Sequence, residues 1–279
     1  MSRFSVIIPA FNEEQSIGSV VEAVRAHDAD CEIIVVDDGS TDKTGELAAA
    51  AGATVVRHPA NGGYGLSLMS GIRAARNDIV VITDADGSYP VDRISELVQK
   101  IEAGFDMAVG ARQKAHQYDS IWKIPARLLF KALAEFTTGS RIPDINSGLR
   151  SFRKSQALPY FADLCRGFSF TTTLTLIYTL TGKFIAYVPI EYRRRVGHSK
   201  VRIIRDSLRT TQYIIEVIAT YNPLKLYLLL CLIQGTLALL AFAWWLHDHQ
   251  AAVLVMSSIF VGSSFLLFGI GLLAYLSRR

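Results

Sequence analysis

Residues 83–90, TDADGSYP, set two aspartates one position apart directly after the apolar run DIVVI. Asp, Gly, Ser and Pro are ordinary turn residues, so a surface turn accounts for the composition alone. Paired carboxylates at a strand end also suit a hard divalent cation, which takes oxygen ligands and is commonly held by one or two carboxylates plus substrate phosphates. With a bridging Mg2+ or Mn2+, Asp84 and Asp86 can hold a diphosphate that they would otherwise repel. D-x-D alone does not distinguish the two readings; its neighbours at the same edge do.

Three other apolar runs end on polar residues of the same kind. VIIPAFNEE leaves its strand over residues 9–13, IIVVDDGS at Asp37 and Asp38, and MAVGAR at Arg112. Asp38 can accept hydrogen bonds from a ribose or a base. NGGYG, residues 61–65, opens a helix whose N-terminus attracts anions, or simply makes a turn. Asp42 reads as a solvated loop residue or a helix cap. No G-x-x-x-x-G-K-[ST] occurs, which argues against a P-loop ATPase.

The elements that must position these residues alternate. Strand-like runs are FSVIIPA, CEIIVVDD, ATVVRH, DIVVITDAD, FDMAVGAR and FIAYVPIEY. Between the early ones lie helix-like segments. EEQSIGSVVEAVRAH opens with acids, which suit a helix N-terminus. STDKTGELAAAAG starts with capping residues, and PVDRISELVQKIEAG starts with proline and ends on glycine. Strands alternating with helices predict an α/β fold with a mostly parallel sheet covered on both faces. Ligands of such sheets bind beyond the carboxyl ends of the strands, where all four polar groups fall.

The 279 residues allow one large α/β domain plus an appendage. From residue 224 the composition changes: LKLYLLLCLIQGTLALLAFAWWL carries one charge, Lys225, and AAVLVMSSIFVGSSFLLFGIGLLAYL carries none. A helix over residues 226–246 would run about 30 Å, the thickness of a bilayer's hydrocarbon core. Residues 251–276 span with some tilt. Polar residues 247–250 join the two runs. Buried core helices are the alternative, and two adjacent apolar runs of this length disfavour it. Lys225, Arg278 and Arg279 flank the pair and the connecting loop has no Lys or Arg, so the loop is expected outside and both chain ends in the cytoplasm. The first residues lack the pattern of a signal peptide. Cys31, Cys165 and Cys231 have no metal-like spacing and fit a reducing compartment.

The net charge is +4, with basic residues concentrated over 193–209. That placement suits anionic headgroups or phosphates rather than nucleic acid. Arg193, Arg194, Arg195 and Lys200 surround Gly197; a basic collar snorkelling beside the bilayer is the plain alternative for the first two. In VRIIRDSLRTTQYIIEVIA, Ile204, Leu208, Thr211, Ile215 and Ile218 share one stripe and Arg202, Arg205 and Arg209 another, the pattern of an interfacial helix. SIWKIPARLLFKALAEFTTG reads similarly, with Trp122, Leu128, Leu129, Phe130 and Leu133 beside Lys123, Arg127 and Lys131. Such helices would set the strand-end pocket beside a lipid surface, as an enzyme joining a soluble donor to a lipid acceptor needs.

VIIPAFNEE, EIIVVDDGSTDKT, NGGYG, TDADGSYP, VGAR, DINSGLRSFRK and VPIEYRRRVGHSK occur in the order found in family 2 glycosyltransferases. Over roughly residues 4–222 the chain most resembles the polyprenyl-phosphate branch of that family. The resemblance implies a GT-A fold over residues 1–200; the residue stripes give an interfacial helix over 201–222 and the apolar runs a transmembrane hairpin over 223–279. The resemblance also implies inverting transfer from a nucleotide sugar to a polyprenyl phosphate. By motif, Pro9, Phe11, Glu13, Val36 and Asp38 would hold the nucleoside. Asp84, Ala85 and Asp86 would sit at the diphosphate, with Asp86 the main ligand of Mg2+ or Mn2+. Arg112, Arg195 and Lys200 would bind phosphates, and Arg127 the acceptor phosphate. Phe11 stands where many relatives have Tyr, and Ser88 where several have a metal-binding Gln. FSFTTTLTL has no acid where many relatives carry one. These departures leave the donor sugar undefined.

A lipid phosphate is already largely ionised at neutral pH, its second pKa being about 6, so no dedicated general base is expected. Asp144, in PDINSG, is the carboxylate expected near the sugar, orienting the acceptor or a hydroxyl; a loop cap is its alternative. A polysaccharide synthase of the same fold would carry Q-x-x-R-W, which is absent. A nucleotidyltransferase would leave the spans and collar unexplained. A non-catalytic membrane scaffold predicts no metal-dependent nucleotide binding. Homo-oligomerisation is left open.

Overall fold

A computed structural model describes residues 3–113, 124–193 and 203–277, with side chains of 124–130 and 203–208 outside that description. The chain divides into two compact units, Met1–Ile214 and Ile215–Arg279.

The first unit is built on seven strands: β1 (Phe4–Ala10), β2 (Glu32–Asp37), β3 (Thr54–Arg57), β4 (Ile79–Ile82), β5 (Met107–Gln113), β6 (Arg150–Arg153) and β7 (Ile185–Glu191). Their order across the sheet is β3-β2-β1-β4-β6-β5-β7. Every pairing is parallel except those of β6, which runs antiparallel to both β4 and β5. The expected mostly parallel sheet is therefore present, with one strand that the apolar runs did not announce. Because β6 is reversed, its entry lies at the same edge as the exits of β4 and β5.

Helices α1 (Ile17–His27), α2 (Thr44–Ala50), α3 (Tyr64–Ala74), α4 (Ile94–Glu102), α5 (Ile124–Thr138), α6 (Lys154–Ala157) and α7 (Phe170–Leu180) accompany the sheet. β1 and β4 are buried along their whole length, as central strands covered on both faces must be. One core joins Phe4, Val6 and Ile8 to Ile17, Val21, Leu97 and Ile101 of α1 and α4. Ile7 points the other way, to α3, where Gly71 lets the helix settle against it.

α8 (Ile203–Tyr221) crosses the boundary between the units. Its buried residues include Ile214, Val217 and Ile218, whereas Ile215 is exposed. The expected stripe containing both Ile215 and Ile218 is thus split.

The second unit holds α9 (Pro223–Asp248) and α10 (Ala251–Leu276). Pro223 opens α9 behind the Asn222 side chain, which accepts the Lys225 N–H. α9 continues through Asp248, so the connection is shorter than the expected polar stretch 247–250. His249, at φ 53°, makes the left-handed cap. Across the pair, Cys231 Sγ–H donates to Ser264 O (3.2 Å), Ser264 Oγ to Cys231 O (3.3 Å) and Ser257 Oγ to Ala238 O (3.0 Å). Leu239 and Phe265 remain 72% and 74% exposed, which removes the buried-core alternative for these helices. Both are long and apolar enough to cross a membrane.

Candidate active site

The exits of β1 and β2 are sewn to each other. Asn12, in the left-handed region at φ 51°, donates its backbone N–H to Ser40 Oγ (2.9 Å) and accepts from Thr41 N at Oδ1 (2.9 Å). The Glu13 N–H donates to Thr44 Oγ1 (2.8 Å). These ties hold Glu13 and Glu14 in a turn, and α1 begins only at Ile17, with no acid in its first turn. The expectation that these acids open the helix is corrected accordingly. Pro9 pairs with Val36 across β1 and β2, and both are buried. Phe11 and Glu13 are half-buried beyond them. Asp42 accepts Thr44 N (3.0 Å) and Glu14 N (3.2 Å) from the loop just before α2, whose cap residue is Lys43.

Asp38 is buried and its carboxylate receives three protein donors: Gly62 N (2.9 Å), Gly63 N (2.8 Å) and His58 Nδ1 (2.6 Å). His58 Nε2 meets Ser70 Oγ at 2.9 Å. The amides of NGGYG therefore already face an anion, the side chain of Asp38. Asp37 is engaged by Arg57 Nε (3.0 Å) and Ser40 N (3.0 Å).

At the end of β4, Asp84 Oδ1 accepts the Tyr64 hydroxyl (2.9 Å). Burial, and then the Asp84 charge, push the Tyr64 phenol well above its ordinary value, so it remains the donor. Gly148 packs on the same carboxylate: a Cβ there would fall 2.8 and 2.9 Å from its two oxygens. Asp86 accepts both Ser88 N (3.0 Å) and Ser88 Oγ (2.5 Å). Ser88 is wholly buried, so its hydroxyl steadies Asp86; Ala85 between the two acids is buried as well. No cluster of three or more His, Cys, Asp or Glu able to hold a metal occurs among the described residues. Two carboxylates at a strand end do not make a closed zinc site. They do fit Mg2+ or Mn2+, which keep positions for water and phosphate oxygens.

The Arg112 side chain, leaving β5, and Asp144 are partners. Nε and Nη2 of Arg112 donate to Asp144 at 2.7 and 2.9 Å, and the backbone amides of Arg112 and Asn146 add 3.2 and 3.1 Å bonds. Burial would raise the Asp144 pKa, but the bonds and charge of Arg112 override it and hold the carboxyl below its usual range. The guanidinium also lies over the Tyr192 ring, whose edge meets Tyr89. Tyr89 Oη accepts the Gly148 N–H (2.7 Å), and Asn146 Oδ1 accepts from Thr172 Oγ1. Arg127 lies on α5 with its side chain outside the described residues, as do Arg195 and Lys200 entirely.

The strand ends thus gather most of the residues that the sequence singled out. Tyr64, Tyr89, Gly148, His58 and Arg150 were not singled out. All five lie inside quoted stretches: His58 ends ATVVRH, Tyr64 is in NGGYG, Tyr89 in TDADGSYP, and Gly148 and Arg150 in DINSGLRSFRK; an aromatic or glycine within a polar strand-end stretch was the signal for all but Arg150.

The pattern of glycosyl transferase family 2 matches residues 5–170. A dolichyl-phosphate hexose transferase of Haloferax volcanii is 31% identical over 199 residues, covering 71% of this chain and 86% of that protein. An undecaprenyl-phosphate 4-deoxy-4-formamido-L-arabinose transferase of Klebsiella pneumoniae subsp. pneumoniae is 28% identical over 308 residues, covering 100% of this chain and 89% of that one. Among solved structures, glucosyl-3-phosphoglycerate synthase from Mycobacterium tuberculosis in complex with Mn2+, UDP and glucosyl-3-phosphoglycerate matches with a TM-score of 0.60 at 26% identity, over 78% of this chain and 79% of that one. The same enzyme has been solved with Mg2+ and UDP.

Proposed function

Because the chain belongs to glycosyl transferase family 2 and has its GT-A type of sheet, we propose that it moves a sugar from a nucleoside diphosphate sugar to a polyprenyl phosphate. The observation that carries this reading is the alignment with the undecaprenyl-phosphate transferase, which spans the whole chain, apolar helices included. The catalytic unit and both ends of the hairpin would lie on the cytoplasmic side, as the flanking Lys225, Arg278 and Arg279 suggest.

In this reading Pro9, Phe11, Glu13, Val36 and Asp38 border the nucleoside. Asp38 also pins the NGGYG turn, so the pocket wall it forms is pre-set. Asp84, Asp86 and, through Asp86, Ser88 would hold Mg2+ or Mn2+, as the Mn2+ and Mg2+ complexes of the solved neighbour support. A divalent cation there would neutralise charge on the departing nucleoside diphosphate. An acceptor phosphate oxygen attacks the anomeric carbon from the face opposite the diphosphate. The new C–O bond forms as the bond to the diphosphate oxygen breaks with its electron pair, inverting the centre. The attacking oxygen is already ionised, so no side chain has to remove a proton. Arg127, Arg195 and Lys200 would steady phosphates, and the Arg112–Asp144 pair would border the sugar. The chain's contribution is mostly orientation and charge stabilisation.

The test uses the full chain in detergent with Mn2+, radiolabelled UDP- and GDP-sugars, and three acceptors: undecaprenyl phosphate, dolichyl phosphate and 3-phosphoglycerate. Label passing into either lipid is the expected result. Label only on phosphoglycerate would replace the lipid acceptor with a soluble one, and nucleotide binding without transfer to any acceptor would sink the reading.

A further inference from the structure

We infer that Arg150 is the positioning residue of this site: its guanidinium fixes residues 144–148 between Arg112 and Asp84. Arg150 heads the largest fully buried side chains of the protein. It lies on β6 opposite Ile82 of β4 and Val109 of β5, the two strands whose exits carry Asp84 and Arg112. Its Nε donates to Ser147 O (3.0 Å), Nη2 to Ser147 O (2.5 Å) and Ile145 O (3.4 Å), and Nη1 to Thr171 O (2.9 Å) and Thr175 Oγ1 (2.9 Å). All of these acceptors are neutral, and among the described residues no carboxylate touches it.

A buried cation without a paired anion is costly, and Arg meets that cost here by filling its planar fork with oxygens. The fork joins two elements. Ile145 and Ser147 belong to the segment leading into β6; Thr171 and Thr175 belong to α7. Residues 144, 146 and 148 of that segment face Arg112, Thr172 and Asp84 with Tyr89, while the carbonyls of 145 and 147 turn to Arg150. Arg150 therefore sets which groups face the site without touching it. A lysine keeps the charge but cannot bridge these carbonyls in one plane.

This inference rests on the proposed transferase activity for its kinetic arm only. The full chain in detergent is compared with Arg150→Lys, Arg150→Met and Thr175→Val. Hydrogen exchange over 144–148, calorimetric binding of UDP or GDP with Mn2+, and kcat and KM for both substrates are measured. Arg150→Lys is expected to exchange faster over 144–148, to bind nucleotide within about three-fold of the parent, and to lose about 100-fold in kcat, the scale of a misplaced reacting geometry. Thr175→Val removes the hydroxyl that accepts Arg150 Nη1 (2.9 Å) and donates to Thr171 O (2.8 Å), leaves the bonds to Ser147 and Ile145 in place, and should shift both readouts in the same direction by less. Native exchange with parental kcat in folded Arg150→Lys overturns the inference. So does a raised donor KM at unchanged kcat, which would make Arg150 a donor-binding group. If neither Arg150 variant folds, Thr175→Val decides by the same criteria. Absence of transfer by the parent itself would count against the proposed function, while the exchange arm still judges Arg150.

Discussion

Asp84 and Asp86 leave the same strand into different company, Asp84 beneath a tyrosine hydroxyl and a glycine, Asp86 wrapped by Ser88. Replacing Asp86 by Ala deprives the buried Ser88 hydroxyl and backbone N–H of that acceptor, a cost of about 1–3 kcal/mol for each. Together that stays below most of the typical domain stability range of about 5–15 kcal/mol. The variant should therefore fold, with transfer reduced by roughly 100-fold or more. Circular dichroism alongside the radiolabel assay checks this; an unfolded protein would make Asp86 structural. Asp144 carries a different signature. Its folded pKa is depressed relative to the unfolded chain, so its stabilisation is whole at neutral pH and is lost as the pH falls through the carboxylate range. Melting curves of the parent and Asp144→Asn should lie apart at neutral pH and converge on acidification. Curves that stay parallel at every pH would show that the ion pair with Arg112 adds no stability.

At the level of elements, the close approach of α3 to residues 165–166 is set by Gly65. A Cβ there would fall 2.2 Å from Cys165 O and 2.7 Å from Arg166 C, both backbone atoms that cannot swing aside. Gly65→Ala should thus destabilise by about 1–3 kcal/mol despite its better helix propensity, lowering the denaturant midpoint at unchanged slope. An unchanged midpoint would mean the 165–166 turn yields freely. The parallel strands and the hairpin are legible in the sequence because their apolar runs are unbroken. β6 is not: RSFR has four residues, two of them arginines, and it is a strand because β4 and β5 offer edges on either side. Asp38 shows the other limit. Its type and place at a strand end are readable, but which donors reach it depends on the path of residues 58–63, which local pattern does not encode.

For the molecule as a whole, the residues proposed to bind the donor lie in the first unit and the apolar helices in the second. Truncation after Asn222 should leave Mn2+-dependent nucleotide binding intact. Transfer to a long polyprenyl phosphate should fall far more than transfer to a short, water-soluble analogue. Equal loss with both acceptors would mean that the apolar helices shape the site itself. The reversed β6 has a further consequence. The chain leaves β5 after Gln113 and enters β6 at Arg150, and a bidentate ion pair of 2.7 and 2.9 Å ties Arg112, near the end of β5, to Asp144, ahead of β6. Among the described residues, α5 and the segment 139–143 lie between the two ends of this tie, outside the strands that lead to Asp38 and Asp84. Exchanging residues 114–143 with those of a relative using another lipid should transplant the acceptor preference and leave the donor preference behind, provided Arg112 and Asp144 stay to fasten the two ends.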